Sequence, residues 1–577
     1  MTMRSRVVGV LILSGGVLAS CGRAPADLLL INGRVYTLGW DEPSSAGEPA
    51  RNAPHDTTGW HPDADAIAIR DGKIVYVGDT AAALGFKGAG TDVRDLAGAT
   101  VLPGLVDSHV HLAELGASLE RVNLVGARTE DEIVERVAQR AASVPAGTWI
   151  EGWGWDEGAW AGGYPDNRKL SARVPHHPVI LRGLHGFAVW CNALALDRAG
   201  IRAGTASPAG GEIKKGKGGA PTGILLNTAT TLVTTAVPAP TPDALDARLT
   251  AALTALAHAG YVSVEEAGAD SALLAAFGRL RDKGALPIRV SAMLAARDTA
   301  ALDAWTSRGP DRDESQPLVT DAVKAFYDGA LGSRGAFLLA DYADAPGRHG
   351  VGGPEYGFDR DRMTAMALAG FQLVVHAIGD RANRETLDLI EALERNQNWH
   401  DARPRIEHAQ VVSDSDLPRF GTLGVIASMQ PSHAVEDMAW AEARLGPDRI
   451  AGAYAWRRLR RAGARLVFNS DLPATDFSIF YGLHSAVTRQ NRDGQPAGGW
   501  RPEEKMTIEE AVRGWTSWAA YAMFRDQLTG KLLPGRWADI TVLDLDPFRI
   551  GETTPGRLLD GHVRLTVVNG RVVYAAQ

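Results

Sequence analysis

Six residues of metal-binding type each lie at the end of an apolar run of the sequence. The stretch GLVDSHVHL ends on two histidines one residue apart, and four later runs carry Lys, His, His and Asp in that order. The six are His109, His111, Lys324, His376, His408 and Asp471. Neutral imidazoles and carboxylates are common ligands of Zn²⁺ and similar divalent ions. The set predicts a metal site, although the His-x-His pair alone is equally compatible with histidines satisfied in a core.

These six residues can meet only if the apolar runs before them converge. Apolar β-branched runs alternate with helical stretches such as DEIVERVAQRAA, which is the pattern of βαβ units and a parallel sheet. We therefore predict an α/β fold, a (β/α)8 TIM-like barrel over residues 104–529, whose strand ends converge at one face. Residues two apart on a strand point to the same side, so His109 and His111 are expected to face the site together. The strand-like runs are GLVDSHVHL, PVILRG, YVSVEEAG, PIRVSAML, AVKAFYDG, FQLVVHAIGD, PRIEHAQ, GVIASMQP and RLVFNSDLP. These nine runs exceed the eight positions of such a barrel, so one must be peripheral.

The two ends of the chain predict a second, smaller unit. The stretches DLLLINGRVYTL, AIAIRDGKIVYVG, TDVRDLAGATVLPG and VRLTVVNGRVVYA alternate apolar and polar residues around Asn-Gly, Asp-Gly and similar turns. This pattern is typical of β-hairpins. We predict a small β-sandwich domain from residues 21–103 together with 530–577. The Gly- and Lys-rich stretch GGEIKKGKGGAPTG predicts a surface insertion or lid around residues 200–225.

The N-terminus has the composition of an export signal. MTMRSR is positively charged, VVGVLILSGGVL is apolar, and LASC resembles the cleavage site of a bacterial lipoprotein. Residues 1–20 are therefore predicted to be a lipoprotein signal peptide, with Cys21 lipidated. The location expected is the cell envelope, on the outer membrane or the periplasmic face. An ordinary signal peptide with an incidental cysteine is the alternative.

Composition restricts the partners of the remaining chain. The 577 residues carry a net charge of −8 without a basic block, so nucleic acid is not expected. No apolar run beyond the N-terminus reaches the roughly 20 residues of a membrane helix, so membrane contact is expected through the lipidated Cys21 only. Cys191 is the one other cysteine and leaves no internal disulfide. The sequence does not indicate an oligomeric state.

The motifs together resemble the amidohydrolase superfamily, and within it amidohydrolase family 3, the YtcJ-like branch that includes N-substituted formamide deformylases. The matching stretches are GLVDSHVHL, GWGWDE, HGFAVWCNALAL, VKAFYDGALGSRGA, VVHAIGDRAN, RIEHAQ, SMQPSHA, NSDLP and GKLLPGRWADITVLD. They extend over almost all of the chain after the predicted signal. One departure is Asn469, where the branch more often has Gly, and we expect it to affect only the shape of the loop.

The resemblance implies a divalent metal cofactor, most simply Zn²⁺, as one or two ions. One ion would be held by His109, His111 and Asp471, and a second by His376 and His408.

The resemblance also implies that Lys324 bridges the two ions. An ammonium cannot ligate a cation, so Lys324 would have to be carbamylated by CO₂. A buried lysine with a depressed pKa is suited to this reaction, since only the neutral amine reacts. The alternative is an unmodified Lys324 paired with Asp328 at a site for a single ion.

Four residues are candidates for a catalytic role. Asp471 would touch both metal and water, which makes it the candidate to take a proton from water and pass it to the leaving amine. His185 and Arg334 are candidates to stabilise an oxyanion or hold a carboxylate, as is His433, with an ion pair as the alternative for Arg334. Asp107 and Glu407 are candidates to orient the imidazoles.

The resemblance places several aromatic residues near the mouth of the site, where they would suit an apolar amide. They are Trp153, Trp155, Phe187 and Trp190. Core packing is the alternative for them.

The function predicted is metal-dependent hydrolysis of C–N bonds in amide or N-acyl small molecules by activated water. A hydrolase of the same fold acting on carbamate, ester or lactone bonds is an alternative. A non-catalytic envelope lipoprotein is another, and the intact set of six ligand-type residues argues against it.

Overall fold

The computed structural model describes residues 23–155, 163–183, 188–208, 211–396 and 399–577. The predicted signal peptide and Cys21 lie outside these residues. Among the helices of the described part, none combines the length and the apolar character that crossing a bilayer requires.

Eight parallel strands form a nearly closed barrel, which confirms the predicted α/β barrel. In spatial order the strands are Leu105–Val110, Tyr261–Ala269, Arg289–Ala295, Ala322–Phe326, Gln372–Ala377, Arg405–His408, Ile426–Met429 and Arg465–Phe468. A short strand, Leu318–Val319, pairs with the third of them. Beyond the last strand, Leu472 forms a parallel bridge with Val110, which joins the two ends of the barrel sheet.

Helices surround and connect these strands. Those of the barrel and its loops are Leu112–Glu120, Pro242–His258, Ser271–Asp282, Thr299–Arg308, Arg360–Leu368, Asp380–Glu394, Leu417–Thr422, Pro431–Arg449, Trp456–Arg461, Ile479–Thr488, Ile508–Gly514 and Ser517–Ala522. The helix Pro431–Arg449, which we call the mouth helix, contains a kink at Gly446.

The peripheral run among the nine candidates is PVILRG. It forms the strand Val179–Gly183 in a separate six-stranded sheet. That sheet has, in spatial order, Val122–Asn123, Ile150–Trp155, Val179–Gly183, Ala188–Cys191, Pro221–Asn227 and Gly211–Lys215. The helices Glu130–Ala142, Arg168–Arg173, Ala193–Arg198 and Thr231–Thr234 accompany it.

The segment predicted as an insertion around residues 200–225 is therefore part of a larger structure. Its Gly- and Lys-rich stretch forms the hairpin of Gly211–Lys215 with Pro221–Asn227, at the edge of the six-stranded sheet. The sheet has its own apolar clusters, one around Trp155 and Trp190 and another around Cys191. The sequence showed only the exposed edge of this unit, because its other strands are as apolar as those of the barrel.

Both chain ends form the predicted β-sandwich. One sheet contains Lys73–Gly78, Ala66–Arg70, Leu28–Ile31 and Asp92–Asp95, and the other contains Arg34–Val35, Thr100–Pro103, Ile540–Leu543, Val563–Val568 and Arg571–Ala575. Apolar side chains from both sheets pack against each other, among them Leu30, Ile67, Val101, Ile540 and Val567. A two-stranded ribbon, His55–Asp56 with Gly59–Trp60, and the helices Thr80–Ala83 and Pro547–Thr553 complete this region.

Two of the four predicted hairpins are correct and two are wrong. Asp71-Gly72 and Asn569-Gly570 turn the expected hairpins. The stretch around Asn32-Gly33 instead passes from one sheet of the sandwich to the other, and so does the stretch around Ala97. The two crossings run side by side, and a side chain at Gly33 would collide with Leu96, at 2.9 Å. Alternation and a turn dipeptide do not distinguish a hairpin from such a crossing.

Candidate metal centre

Three buried side chains converge where the first, sixth and eighth barrel strands end. Single ligand atoms of His109, His408 and Asp471 all lie within 4.8 Å of one another. His109 and His111 both approach Asp471, with each Nε2 atom 3.4 Å from its Oδ1 atom. The two histidines thus face the same side, although His111 lies just beyond its strand and precedes the helix Leu112–Glu120.

Backbone hydrogen bonds hold the first and last strands together at this point. The N–H of Asp471 donates to the carbonyl of His109 at 3.1 Å, and the N–H of His111 donates to that of Leu472 at 3.0 Å. Asp107 accepts hydrogen bonds from the backbone N–H of Ser470 at 3.0 Å and from its hydroxyl at 2.6 Å. Asp107 therefore fixes the loop that carries Asp471.

Lys324 is buried beside the same group. Its Nζ atom lies 3.4 Å from Nε2 of His109, and burial lowers the pKa of its amine to about 8. Asp328 is not its partner, because the Asp328 carboxylate accepts the backbone N–H groups of Phe337, Ile378 and Gly379 at 2.8–2.9 Å. The alternative of a Lys324–Asp328 pair is therefore wrong.

Three of the histidines that face the cavity, His109, His376 and His408, are held in the neutral form that ligates metals. Burial lowers the pKa of His109 to about 4 and that of His408 to about 3, and it lowers the pKa of His376 well below its ordinary value. His376 packs with its ring centroid 4.5 Å from that of His408. Its buried Nε2 atom has no hydrogen-bond partner among the described residues and lies 3.6 Å from Asp328. A buried nitrogen without a partner is costly, so this atom is suited to a ligand.

At Asp471 and His111 the surroundings favour the charged form of the side chain instead. Burial opposes ionisation of Asp471, but the neighbouring imidazoles outweigh it and hold its pKa well below the ordinary value. Burial also opposes protonation of His111, but Asp471 and Glu266 outweigh it and raise its pKa. A metal cation placed here would replace the proton of His111 as the charge opposite Asp471.

A chain of buried hydrogen bonds connects the rear nitrogens of His109 and His408. Nδ1 of His109 contacts Glu407 at 2.5 Å, and Nδ1 of His408 contacts the amide oxygen of Gln430 at 2.9 Å. Between them, the Ser428 hydroxyl donates to Glu407 at 2.7 Å, Asn469 donates to Ser428 at 2.9 Å, and Gln430 donates to Asn469 at 2.7 Å. We call these residues the rear chain: His109, Glu407, Ser428, Asn469, Gln430 and His408.

Asn469 is the link that the sequence did not reveal. We expected it to change only a loop, yet its side chain holds both Ser428 and Gln430. Of the two predicted orienting residues, Glu407 contacts an imidazole side chain, whereas Asp107 fixes the loop at Ser470. The signal was the departure at Asn469 itself, an amide directly after the apolar run RLVF.

Arg405 lies behind the rear chain and is fully buried. Its guanidinium donates to Glu407 at 2.9 Å, to the Ser108 carbonyl at 2.8 Å and, by a short contact, to Glu265. Burial opposes ionisation of Glu407, but Arg405 and His109 outweigh it and hold its pKa below the ordinary value. The rear of the site is therefore a paired and hydrogen-bonded ionic cluster.

In front of the ligand group is a cavity of about 370 Å³. His109, His111, His376, His408 and Asp471 all face it. Its apolar wall includes Phe326, Leu331, Ile378 and Trp440, and its polar wall includes Gln410, His433, Glu436 and Asp437. The predicted ligand side chains thus open onto a space large enough for a small organic molecule.

The other predicted catalytic residues have different outcomes. His185 lies outside the described residues. Arg334 does not line the cavity, and its guanidinium pairs with both carboxylate oxygens of Asp344 at 3.0 and 2.8 Å. The structure thus shows Arg334 in an ion pair, which was the alternative to its catalytic role. His433 does reach the site, with Nε2 at 3.7 Å from Oδ2 of Asp471 and its ring stacked on that of His408.

The aromatic walls come from other segments than expected. Trp155 and Trp190 are fully buried in the six-stranded sheet and contact each other, with ring centroids 6.2 Å apart. Trp153 is exposed at a separate cavity, and Phe187 lies outside the described residues. Phe326 and Trp440 are the aromatic residues that line the cavity instead.

The donor set fits a divalent metal ion. Two buried neutral imidazoles and an ionised carboxylate converge within ligand distance, and His376 adds a buried nitrogen without a partner. These are the ligand types and protonation states that a divalent ion of the Zn²⁺ type takes.

Known proteins are similar to this chain in sequence. Residues 92–574 match the model of a family described as the amidohydrolase family. The putative amidohydrolase YtcJ of Bacillus subtilis is 31% identical over 88% of this chain and 96% of its own length. The N-substituted formamide deformylase of Arthrobacter pascens is 27% identical over 95% of this chain and 98% of its own.

A solved structure shows the same architecture. The crystal structure of an uncharacterized metal-dependent hydrolase from Pyrococcus furiosus superposes with a TM-score of 0.72 and 27% identity. The match covers 90% of this chain and 99% of the other.

Proposed function

The chain belongs to the amidohydrolase family, and on this premise we propose that it is a metal-dependent hydrolase that cleaves the C–N bond of amide or N-acyl small molecules. The observation that carries the proposal is the group of His109, His408 and Asp471 at the end of the barrel strands, opening onto a cavity. The carboxyl end of such a barrel is where its enzymes place their active sites.

We assign the metal to the six predicted residues. His109, His111 and Asp471 would hold one divalent ion, for which Zn²⁺ is the proposal, and His376 and His408 a second. When bound, a divalent ion polarises a carbonyl group and makes water acidic near neutral pH. The contacts of the rear chain fix the imidazole rings so that their other nitrogens face the cavity.

Lys324 would bridge the two ions as a carbamate. Its burial and its pKa of about 8 leave a share of the amine neutral near neutral pH. The neutral nitrogen would add to the carbon of CO₂. The N–C bond forms as one C=O π bond opens onto oxygen, and one N–H proton passes to solvent, which leaves an anionic carbamate on the side chain. The nearest described contact of Nζ, with Nε2 of His109 at 3.4 Å, supports this role.

Asp471 would carry the proton. Its ionised carboxylate can accept a proton from the attacking water and return it to the nitrogen of the leaving amine, which departs neutral. His433 would donate a hydrogen bond to the oxygen of the scissile carbonyl, and its position 3.7 Å from the same carboxylate supports this role.

Elemental analysis and a substrate panel test this function. We expect about two divalent ions per chain and turnover of N-substituted formamides or aryl amides, lost on chelation and restored by Zn²⁺. The control is Glu442→Gln, since Glu442 is exposed and does not line the cavity. A metal-loaded preparation that cleaves only esters, lactones or carbamates would contradict the proposal, and a chain that binds no metal would remove its basis.

For the location, we propose an envelope lipoprotein anchored through Cys21. The support is the basic, apolar and LASC segments at the N-terminus. Cys21→Ser should move the protein from the detergent phase to the aqueous phase of a detergent extraction, and equal partitioning of both proteins would refute the anchor.

A further inference from the structure

One face of the mouth helix is turned toward the cavity. His433, Glu436, Asp437 and Trp440 all line it, and they follow at intervals of three, four and seven residues from His433. These intervals place side chains on the same face of a helix. With a rise of about 1.5 Å per residue, Glu436 to Trp440 extend roughly 5–10 Å along the helix beyond His433. The carboxylates and the indole therefore lie outward from the metal centre.

The carboxylates of Glu436 and Asp437 each have one oxygen that accepts no hydrogen bond from the described residues. Asp437 accepts hydrogen bonds from Tyr454 at 2.5 Å and Gln410 at 3.3 Å, and both reach Oδ2. Glu436 accepts one from Tyr481 at 3.4 Å, on Oε1. Within the described chain, no hydrogen bond reaches Oδ1 of Asp437 or Oε2 of Glu436. Crowding by the protein raises the pKa of both carboxyl groups, and the neighbouring His433 side chain opposes this effect.

The cavity wall does not balance this negative charge. Of the described residues that line the cavity, none is Lys or Arg. Arg492, which packs over Tyr481, is paired with Asp476. Arg444, whose guanidinium lies 5.9 Å from the centroid of the Trp440 ring, is paired with Asp344. Across the cavity, Arg297 packs over the ring of Phe326, 5.2 Å from its centroid, without lining the space itself.

Glu436 and Asp437 are therefore the charged side chains of the described wall on the outward side of the ligand group. The wall is therefore acidic where it faces away from the metal centre.

An aromatic ring completes the acidic wall. Trp440 is half-buried, lines the cavity, and lies one turn beyond Glu436 and Asp437 on the same helix face. An indole face beside carboxylates is the arrangement that recognises alkylammonium groups, through cation–π attraction and charge-assisted hydrogen bonds.

We propose that the substrate of this cavity carries a positively charged alkylammonium group, which Glu436, Asp437 and Trp440 bind while the scissile amide lies at the metal centre. This inference rests on the proposed function and specifies its substrate class. It implies that N-acyl compounds with a free carboxylate at the same position are repelled.

Three formamides of equal length test the substrate class. They are mono-N-formylcadaverine, which is cationic, N-hexylformamide, which is neutral, and the formamide of aminohexanoate, which is anionic. We expect the wild-type enzyme to prefer the cationic compound over the neutral one by about tenfold or more in kcat/KM, as hydrogen bonds to a charged group provide. The Glu436→Gln/Asp437→Asn double variant should reduce that ratio to about one, while Glu442→Gln on the same helix should keep it.

A binding measurement separates this inference from the proposed function. Calorimetry with hexylammonium and with hexanol requires no turnover. The wild-type protein should bind hexylammonium more tightly than hexanol, and the double variant should bind the two with similar affinity. If no formamide is cleaved, the function is decided by the wider substrate panel and calorimetry alone decides the inference. If all three are cleaved with equal kcat/KM, the inference is overturned and the function stands. Preference for the anionic compound also overturns it, and would point to Arg297.

Discussion

The rear and the front of the histidine cluster have opposite kinds of environment. Behind them, Nδ1 of His109 and Nδ1 of His408 are tied into the rear chain, and Arg405 neutralises the carboxylates there. In front, Nε2 of His376 has no partner among the described residues, and carboxylates face an open cavity.

This difference separates scaffold from chemistry. A buried polar group that is fully hydrogen-bonded fixes the geometry of its neighbours. A buried polar group without a partner is available to bind a metal ion or a substrate. We therefore expect changes at the front to reduce turnover with the fold intact, and changes at the rear to reduce stability or metal affinity. The following three experiments test that separation.

The largest effect is expected at the front, from Asp471→Asn. The amide keeps the shape and an oxygen but loses the charge and the basicity needed to carry a proton. General acid–base catalysis contributes about 10²- to 10⁴-fold, so kcat should fall by at least that amount. Turnover and melting temperature should be measured on one metal-loaded preparation. A stable variant that keeps more than about a tenth of wild-type kcat would remove Asp471 from proton transfer.

A loss of stability is expected at the rear, from Arg405→Met. The variant leaves the buried carboxylates of Glu265 and Glu407 without their cation. Removing one partner of a buried pair costs about 3–5 kcal/mol, so the urea midpoint should fall clearly. Arg395→Met is the control, because Arg395 forms an exposed pair with Glu391, and such a pair contributes about 1 kcal/mol or less. Equal midpoints for the two variants would show that the rear cluster does not support the fold.

The smallest effect is expected from Asn469→Ala, which interrupts the rear chain without removing a charge. Loss of a residue that orients a metal ligand typically costs about 10- to 100-fold in metal affinity. Metal titration should show this loss for Asn469→Ala and for Gln430→Ala, and the double variant should add little, because both act on His408 through one chain. Fully additive losses would mean that the two side chains act separately.

The barrel and its six ligand-type residues were predictable, because each lies at the end of a run whose apolar pattern is local. What the sequence did not reveal depends on contacts that form only in the folded chain. Arg334 is of a residue type that binds anions, and only the folded loop shows Asp344 against it. The six-stranded sheet uses runs that look like barrel strands.

The junction between the first and last barrel strands determines when this site can exist. Asp107 and Ser470, whose hydrogen bonds fix the loop of Asp471, are separated by 363 positions. A ribosome that has already made both histidines of the His-x-His pair must still synthesise most of the barrel before Asp471 emerges. Contacts of such long range form late in folding. The nascent chain thus carries the histidines before the group of His109, His408 and Asp471 can assemble. Binding of metal by this group therefore indicates that the barrel has closed.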